Sequence, residues 1–199
     1  MDIIKDVEQF EFYEKRVNEE LFLGSVFPRC VFKRRPTSIG FFDSGYMTSK
    51  ELFRGLKSLC DDFDEDGFVF MMLHPDPIKY YFDTFGYFPA ARFSRNDDEL
   101  VFDQFVLRDD GPSGVISAIA FQVFEIAILS DDGGFIVYGK RADELGVIGV
   151  LRKSLPIRTE PISKHLNDII MDCETAYREI RNFRPPITKR EFLDAWQCA

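Results

Sequence analysis

Three stretches of this chain carry residues whose types and spacing could do chemistry. Asp62-Phe63-Asp64-Glu65-Asp66-Gly67 spells D-x-D-x-D-G, the first half of a calcium loop, in which alternate carboxylates converge on the ion and the glycine permits a sharp turn. The twelfth position of such a loop should be a bidentate Glu and is Leu73, and Phe68–Leu73 (FVFMML) reads as a strand where the exiting helix belongs. An acidic helix-to-strand turn accounts for the same residues without an ion. His74-Pro75-Asp76-Pro77 follows at the C-terminal end of that strand, a place where chemistry often sits in α/β folds. A His and an Asp two residues apart could serve as general base and orienting group in a small hydrolase-like enzyme. No nucleophile or third group is recognisable nearby, and a proline-stiffened turn opening a short helix over Ile78–Phe85 is the other reading. Gly134–Lys140 spells G-x-x-x-x-G-K, but Arg141 stands where a phosphate loop needs Ser or Thr, and the strand sequence Phe135–Tyr138 cannot wrap a phosphate.

The remaining reactive residues are dispersed. Cys30, Cys60, Cys173 and Cys198 show no C-x-x-C pair and no His at ligand spacing, so free thiols are expected, with no metal and no cofactor. Lys33-Arg34-Arg35 forms a small basic knot that could contact an anion, although three bases beside a proline are more often solvated surface. Charge is the stronger signal. The net charge is −9, and residues 43–132 alone hold 18 acids against seven bases. The excess lies in Asp61, Asp62, Asp64, Glu65 and Asp66, in Asp97, Asp98 and Glu99, in Asp109–Asp110, and in Asp131 and Asp132. Nucleic acid is excluded as a direct partner, because its binding needs a basic footprint. A basic protein partner is electrostatically plausible; solvated loops that keep the protein soluble are the other reading of these acids. The opening MDIIKDVEQF lacks the basic and apolar regions of a signal peptide, and no apolar run approaches the roughly 18–20 residues that span a bilayer, so a cytoplasmic protein without membrane attachment is expected.

The elements that must position these residues are legible in part. Ile3, Val7, Phe10, Val17 and Leu21 recur at helical spacing, predicting a helix over Ile3–Phe22, followed by an irregular arm over Phe27–Phe42. Thr48-Ser49-Lys50-Glu51 fits a capping box for a second helix whose apolar face is Leu52, Phe53, Leu56, Leu59, Cys60 and Phe63. Phe68–Leu73 is continuous and apolar, as in a strand buried on both faces. Tyr80, Tyr81, Phe82, Phe85, Tyr87 and Phe88 form an aromatic patch that could be core, pocket wall or interface. Asp97-Asp98-Glu99 opens a helix over Leu100–Leu107, where acids suit the positive end of the helix, and Asp109–Gly114 is a loop. The centre of the chain reads as a three-stranded antiparallel meander: Val123–Leu129, Phe135–Tyr138 and Leu145–Leu151, joined by turns at Ser130–Gly134 and Gly139–Glu144. Ser163 can cap a helix running to about Phe183, and Thr188-Lys189-Arg190-Glu191 is a capping box for a short final helix. Together these predict one α+β domain over residues 1–199. Its sheet is mainly antiparallel, with four to six strands, a central meander and flanking helices. Residues 1–45 form a helix and arm, and residues 152–199 a helical segment packed on the rest.

At the meander the chain resembles the α+β immunity proteins of bacterial toxin–immunity systems, over about 35 residues. There an aromatic hairpin leads to a Gly-x-Arg-x-x-Glu segment and an apolar strand, matched here by Phe135–Tyr138, Gly139, Arg141, Glu144 and Val147–Leu151. The resemblance implies a protein without catalysis that neutralises a partner enzyme by binding it. The expected function is therefore an acidic binding protein directed at a basic toxin or enzyme, with Asp61, Asp62, Asp64, Glu65, Asp66, Asp97, Asp98, Glu99, Asp131 and Asp132 as contacts. The alternatives are a hydrolase-like enzyme using His74 and Asp76, or a soluble domain of another function.

Overall fold

The meander lies at the middle of an antiparallel sheet of eight strands. The computed structural model describes residues 1–24, 27, 29–109, 118–151, 162, 166–180 and 188–197. In chain order its elements are β1 (Asp2–Ile3), α1 (Val7–Glu20), β2 (Ser38–Asp43), α2 (Lys50–Phe63), β3 (Gly67–His74), β4 (Ala90–Ser94), α3 (Glu99–Val106), β5 (Glu125–Ser130), β6 (Phe135–Lys140), β7 (Leu145–Val150), β8 (Ile170–Met171), α4 (Cys173–Ile180) and α5 (Lys189–Gln197). Short helical turns occupy Ser44–Thr48, Pro77–Phe85, Ile119–Gln122 and Arg141–Asp143. The strand order is β1-β4-β3-β5-β6-β7-β2-β8, and every pairing is antiparallel. The α+β class and the central meander are as expected, but the strand count exceeds four to six because both edges carry two-residue strands and two further strands lie where none was expected.

Helices cover both faces of the sheet, and the period-two alternation of each strand divides the core accordingly. Phe68, Phe70 and Met72 of β3 point to one face, where they meet Phe53, Leu56 and Cys60 of α2 and Phe102 and Phe105 of α3. Val69 and Met71 point to the other, with Phe10 and Val17 of α1, Leu21 just after it, and Phe192 and Trp196 of α5. This double burial explains the continuous apolar run of β3. It also explains why β2 escaped detection: Phe41 and Phe42 are both fully buried, on opposite faces, so no polar alternation marks the strand within the supposedly irregular arm.

Several boundaries move for identifiable reasons. Ile3 belongs to β1, and Asp6 caps α1 by accepting from Gln9 N at 3.0 Å, so the first helix starts at Val7. The cap of α2 is Ser49, whose hydroxyl accepts from Leu52 N at 3.1 Å, and not Thr48, which closes the preceding turn. Ser49→Ala is expected to lower stability by about 1 kcal/mol in urea unfolding, with Thr48→Ala within about 0.5 kcal/mol of the parent. The helix expected from Ser163 to Phe183 is interrupted. Ile170 and Met171 pair with Phe42 and Phe41, and Asp172 then caps α4 by accepting from Thr175 N at 2.7 Å. Residues 163–165 and 181–183 of that expected helix, and most of the Asp109–Gly114 loop, lie outside the described residues. The final capping box forms as written: Glu191 accepts from Thr188 N at 2.8 Å, and Glu191 N donates to the Thr188 hydroxyl at 3.2 Å.

The aromatic patch is mainly core. Tyr81 and Phe88 are fully buried and Tyr87 nearly so, and Phe88 stacks between Phe10 of α1 and Phe82, at centroid distances of 4.3 and 4.7 Å. Among the described residues no helix is long and apolar enough to cross a membrane.

Candidate functional site

Antiparallel pairing brings the start of β3, the end of β4 and the β5–β6 turn to one end of the sheet. Gly67 pairs with Ser94, Phe68 with Ser130, and Leu129 with Ile136. Three acidic segments far apart in sequence thereby become neighbours. Asp61–Asp66 lead into β3, Asp97–Glu99 follow β4, and Asp131–Asp132 form the turn after β5. Backbone bonds lock them together, from Arg95 N to Asp66 O at 2.9 Å and from Asp131 N to Gly67 O at 3.0 Å.

The ten carboxylates expected to meet a partner do not share one role. Glu65 is fully buried and leaves the set. Asp64 adopts a left-handed backbone with φ of 52°, which turns the chain so that the next side chain faces inward. There Glu65 accepts from Asp132 N at 2.6 Å, from Gly134 N at 2.9 Å and from the Ser130 hydroxyl at 3.2 Å, and so fixes the β5–β6 turn. A buried carboxylate needs such donors. Its contact is with this turn and not with a partner.

Four more acids are paired by cations that the linear sequence gave no reason to associate with them. Arg92 grips Asp131 in a bidentate pair, donating from Nε at 3.2 Å and from Nη2 at 2.5 Å, and Arg16 of α1 donates to the Asp131 carbonyl at 2.7 Å. Arg54 pairs with Glu99 at 2.8 Å, and this bond holds the exposed Glu99 carboxyl below its usual range. Arg95 pairs with Asp64 at 3.1 Å, and the Met1 amino group with Asp97 at 2.9 Å. Asp98 caps α3, accepting from Val101 N at 2.9 Å. Asp61, Asp66, Asp98 and Asp132 remain exposed and form no salt bridge among the described residues. Asp62 is exposed beside them.

The other candidates resolve into structure. His74 lies at the opposite end of the sheet, exposed, with its ring 5.7 Å from that of Phe124. Asp76 accepts from Ile78 N and Lys79 N, each at 3.0 Å. The bond from Lys79 N, with help from that of Ile78 N, holds its carboxyl below the usual range against the opposing effect of burial. The geometry thus makes Asp76 a helix cap. The spelling Gly134–Lys140 runs into β6 as a strand. Burial pushes the Cys60 thiol up to about 12, with Glu65 and Asp131 adding to the effect, and burial also raises Cys30 and Cys173. Cys30, Cys60 and Cys173 are free, and none is a reactive thiolate; Cys198 lies outside the described residues. Among the described residues no group of three or more His, Cys, Asp or Glu is placed to hold a metal ion.

The acidic end presents negative charge at one end of the sheet, with the paired arginines holding its shape. No family model matches the chain, and neither a curated protein nor a solved structure is significantly similar to it.

Proposed function

We propose that this chain is a non-catalytic binding protein whose acidic sheet end docks on a basic surface of a partner protein, as an immunity protein does on its toxin. The observation that supports the reading is the convergence at one place of three acidic segments, with Asp61, Asp66, Asp98 and Asp132 exposed and in no salt bridge among the described residues. Asp61 lies in the last turn of α2, Asp66 just before β3, Asp98 at the cap of α3 and Asp132 on the β5–β6 turn. Charges held on such ordered backbone lose little conformational freedom on association, which favours rapid, electrostatically steered encounter. Asp64, Asp97, Glu99 and Asp131 are already neutralised within the fold and contribute less to the field. Glu65 acts from below by fixing the turn that carries Asp132.

Toxin and immunity protein are encoded together, so the test uses the product of the neighbouring gene in calorimetry against the full chain. Replacing Asp61, Asp66, Asp98 and Asp132 together by Asn is expected to weaken binding by about 10- to 100-fold at low salt. The parent complex should itself weaken as salt rises, because exposed charges are screened. Asn retains the cap at position 98, and the unfolding midpoint should stay close to that of the parent. Equal affinity of the neutralised variant, or no association with a basic neighbour, defeats the reading.

A further inference from the structure

Between Leu21 and Phe42 the chain carries Arg29, Lys33, Arg34 and Arg35 and not one acid, in a protein with nine net negative charges. Arg34 is neutralised by Glu20 of α1, to which its Nε donates at 2.7 Å. Arg29 and Arg35 form no salt bridge among the described residues. The loop is closed at its neck by the antiparallel bridge between Leu21 and Phe32, with Phe22 N donating to Val31 O at 2.8 Å and Lys33 N to Glu20 O at 2.7 Å. Beneath it, Phe27 is fully buried against Tyr138 and Trp196, and its N–H is held by Asp143 at 3.2 Å.

This closure returns Lys33 to the last turn of α1. Its ammonium donates to the Asn18 carbonyl and lies 5.5 Å from the centroid of the Phe22 ring. An open cleft of about 500 Å³ results, with Asn18, Leu21, Phe22, Arg29 and Lys33 in its lining. That volume falls within the range of small-molecule sites. Lys33 has a task inside the fold, since a cation offsets the negative end of the α1 dipole. Arg29 is exposed and has no ion-pair partner among the described residues, and Phe22 leaves 51% of its surface in water. An exposed cation beside an exposed ring is a pairing suited to an anion borne on a flat apolar body.

We infer that this cleft binds a small ligand that joins an anionic group, phosphate or carboxylate, to a planar apolar body. Arg29 makes the charge-assisted bonds, Lys33 supplies the second positive charge, and Phe22 carries the flat body. The site is independent of the acidic end and of any protein partner there.

The test is an amide NMR titration of the full chain with phenyl phosphate, benzoate and inorganic phosphate. Shifts are expected at Phe22, Leu23 and Gly24, with phenyl phosphate or benzoate binding about tenfold more tightly than inorganic phosphate. The tighter of the two identifies the anion. Arg29→Ala should weaken that binding about tenfold without moving the unfolding midpoint, and Phe22→Ala should erase the preference for the aromatic probes. No shift at these amides, shifts spread evenly over the basic residues of the whole surface, or equal affinity for inorganic phosphate would each overturn the inference.

Discussion

Glu65→Ala is expected to lower the free energy of unfolding by roughly 3–5 kcal/mol, because it leaves two backbone N–H groups and a hydroxyl at the sheet end without their acceptor. Those groups are Asp132 N, Gly134 N and Ser130 Oγ, and Gly134 and Ser130 are buried. Water would have to enter the turn to satisfy them. The Ser130 hydroxyl also accepts from Phe135 N at 3.1 Å, so the damage should spread into β6. Glu65→Gln keeps one acceptor oxygen but turns an amide N–H₂ toward a donor, and a smaller loss of the same sign is expected. Urea unfolding measures both, and amide exchange at Asp132 and Gly134 should accelerate well before global unfolding. A Glu65→Ala protein within about 0.5 kcal/mol of the parent would show that the carboxylate is not the anchor of this turn.

Gly67→Ala should be as severe, for a steric reason. A Cβ at Gly67 would stand 2.0 Å from the Phe93 carbonyl oxygen and 3.1 Å from Ser94 Cα, both backbone atoms of β4. Backbone in a paired sheet cannot step aside as a side-chain tip can, so β3 and β4 must separate locally. A loss of about 3 kcal/mol or more is expected from overpacking at such a site. Gly133→Ala provides the contrast. Gly133 has φ of +75° and nothing within 4 Å of the added carbon, so only backbone strain of about 1 kcal/mol is expected. If the two variants unfolded at the same urea concentration, the close approach of β4 would not be what requires glycine at position 67.

Gly67 also illustrates how far the linear chain could be read. Its place after three alternating aspartates suggests a glycine chosen to turn. The turn is in fact made by Asp64 in the left-handed region, and Gly67 is needed because another strand passes too close for a side chain. The first requirement is local, whereas the second exists only once β4 is in place. The two strands absent from the sequence reading have the same origin. In Ser38–Asp43, burial of Phe41 and Phe42 on opposite faces removes the alternation that would betray a strand, while Ala90–Ser94 alternates over only four residues and is a strand because β3 and β1 pair with it. Likewise Ile170 and Met171 keep a helical apolar spacing, yet pair with the edge of β2.

By itself the sequence determined what depends on near neighbours. That includes the amphipathic face of α2, the apolar run of β3, the turns of the meander, the Thr188–Glu191 capping box, and the clustering of acids in the middle of the chain. Only the tertiary structure decided which of those acids are buried, ion-paired or left exposed. Arg95 and Asp64 are separated by 31 positions, Arg92 and Asp131 by 39, and Arg54 and Glu99 by 45. No pattern of local propensity encodes such pairs, because they form only when sheet closure brings their backbones together. The inward turn of Glu65 and the outward display of Asp132 follow from that closure, since burying a carboxylate is tolerable only where a folded turn supplies the donors.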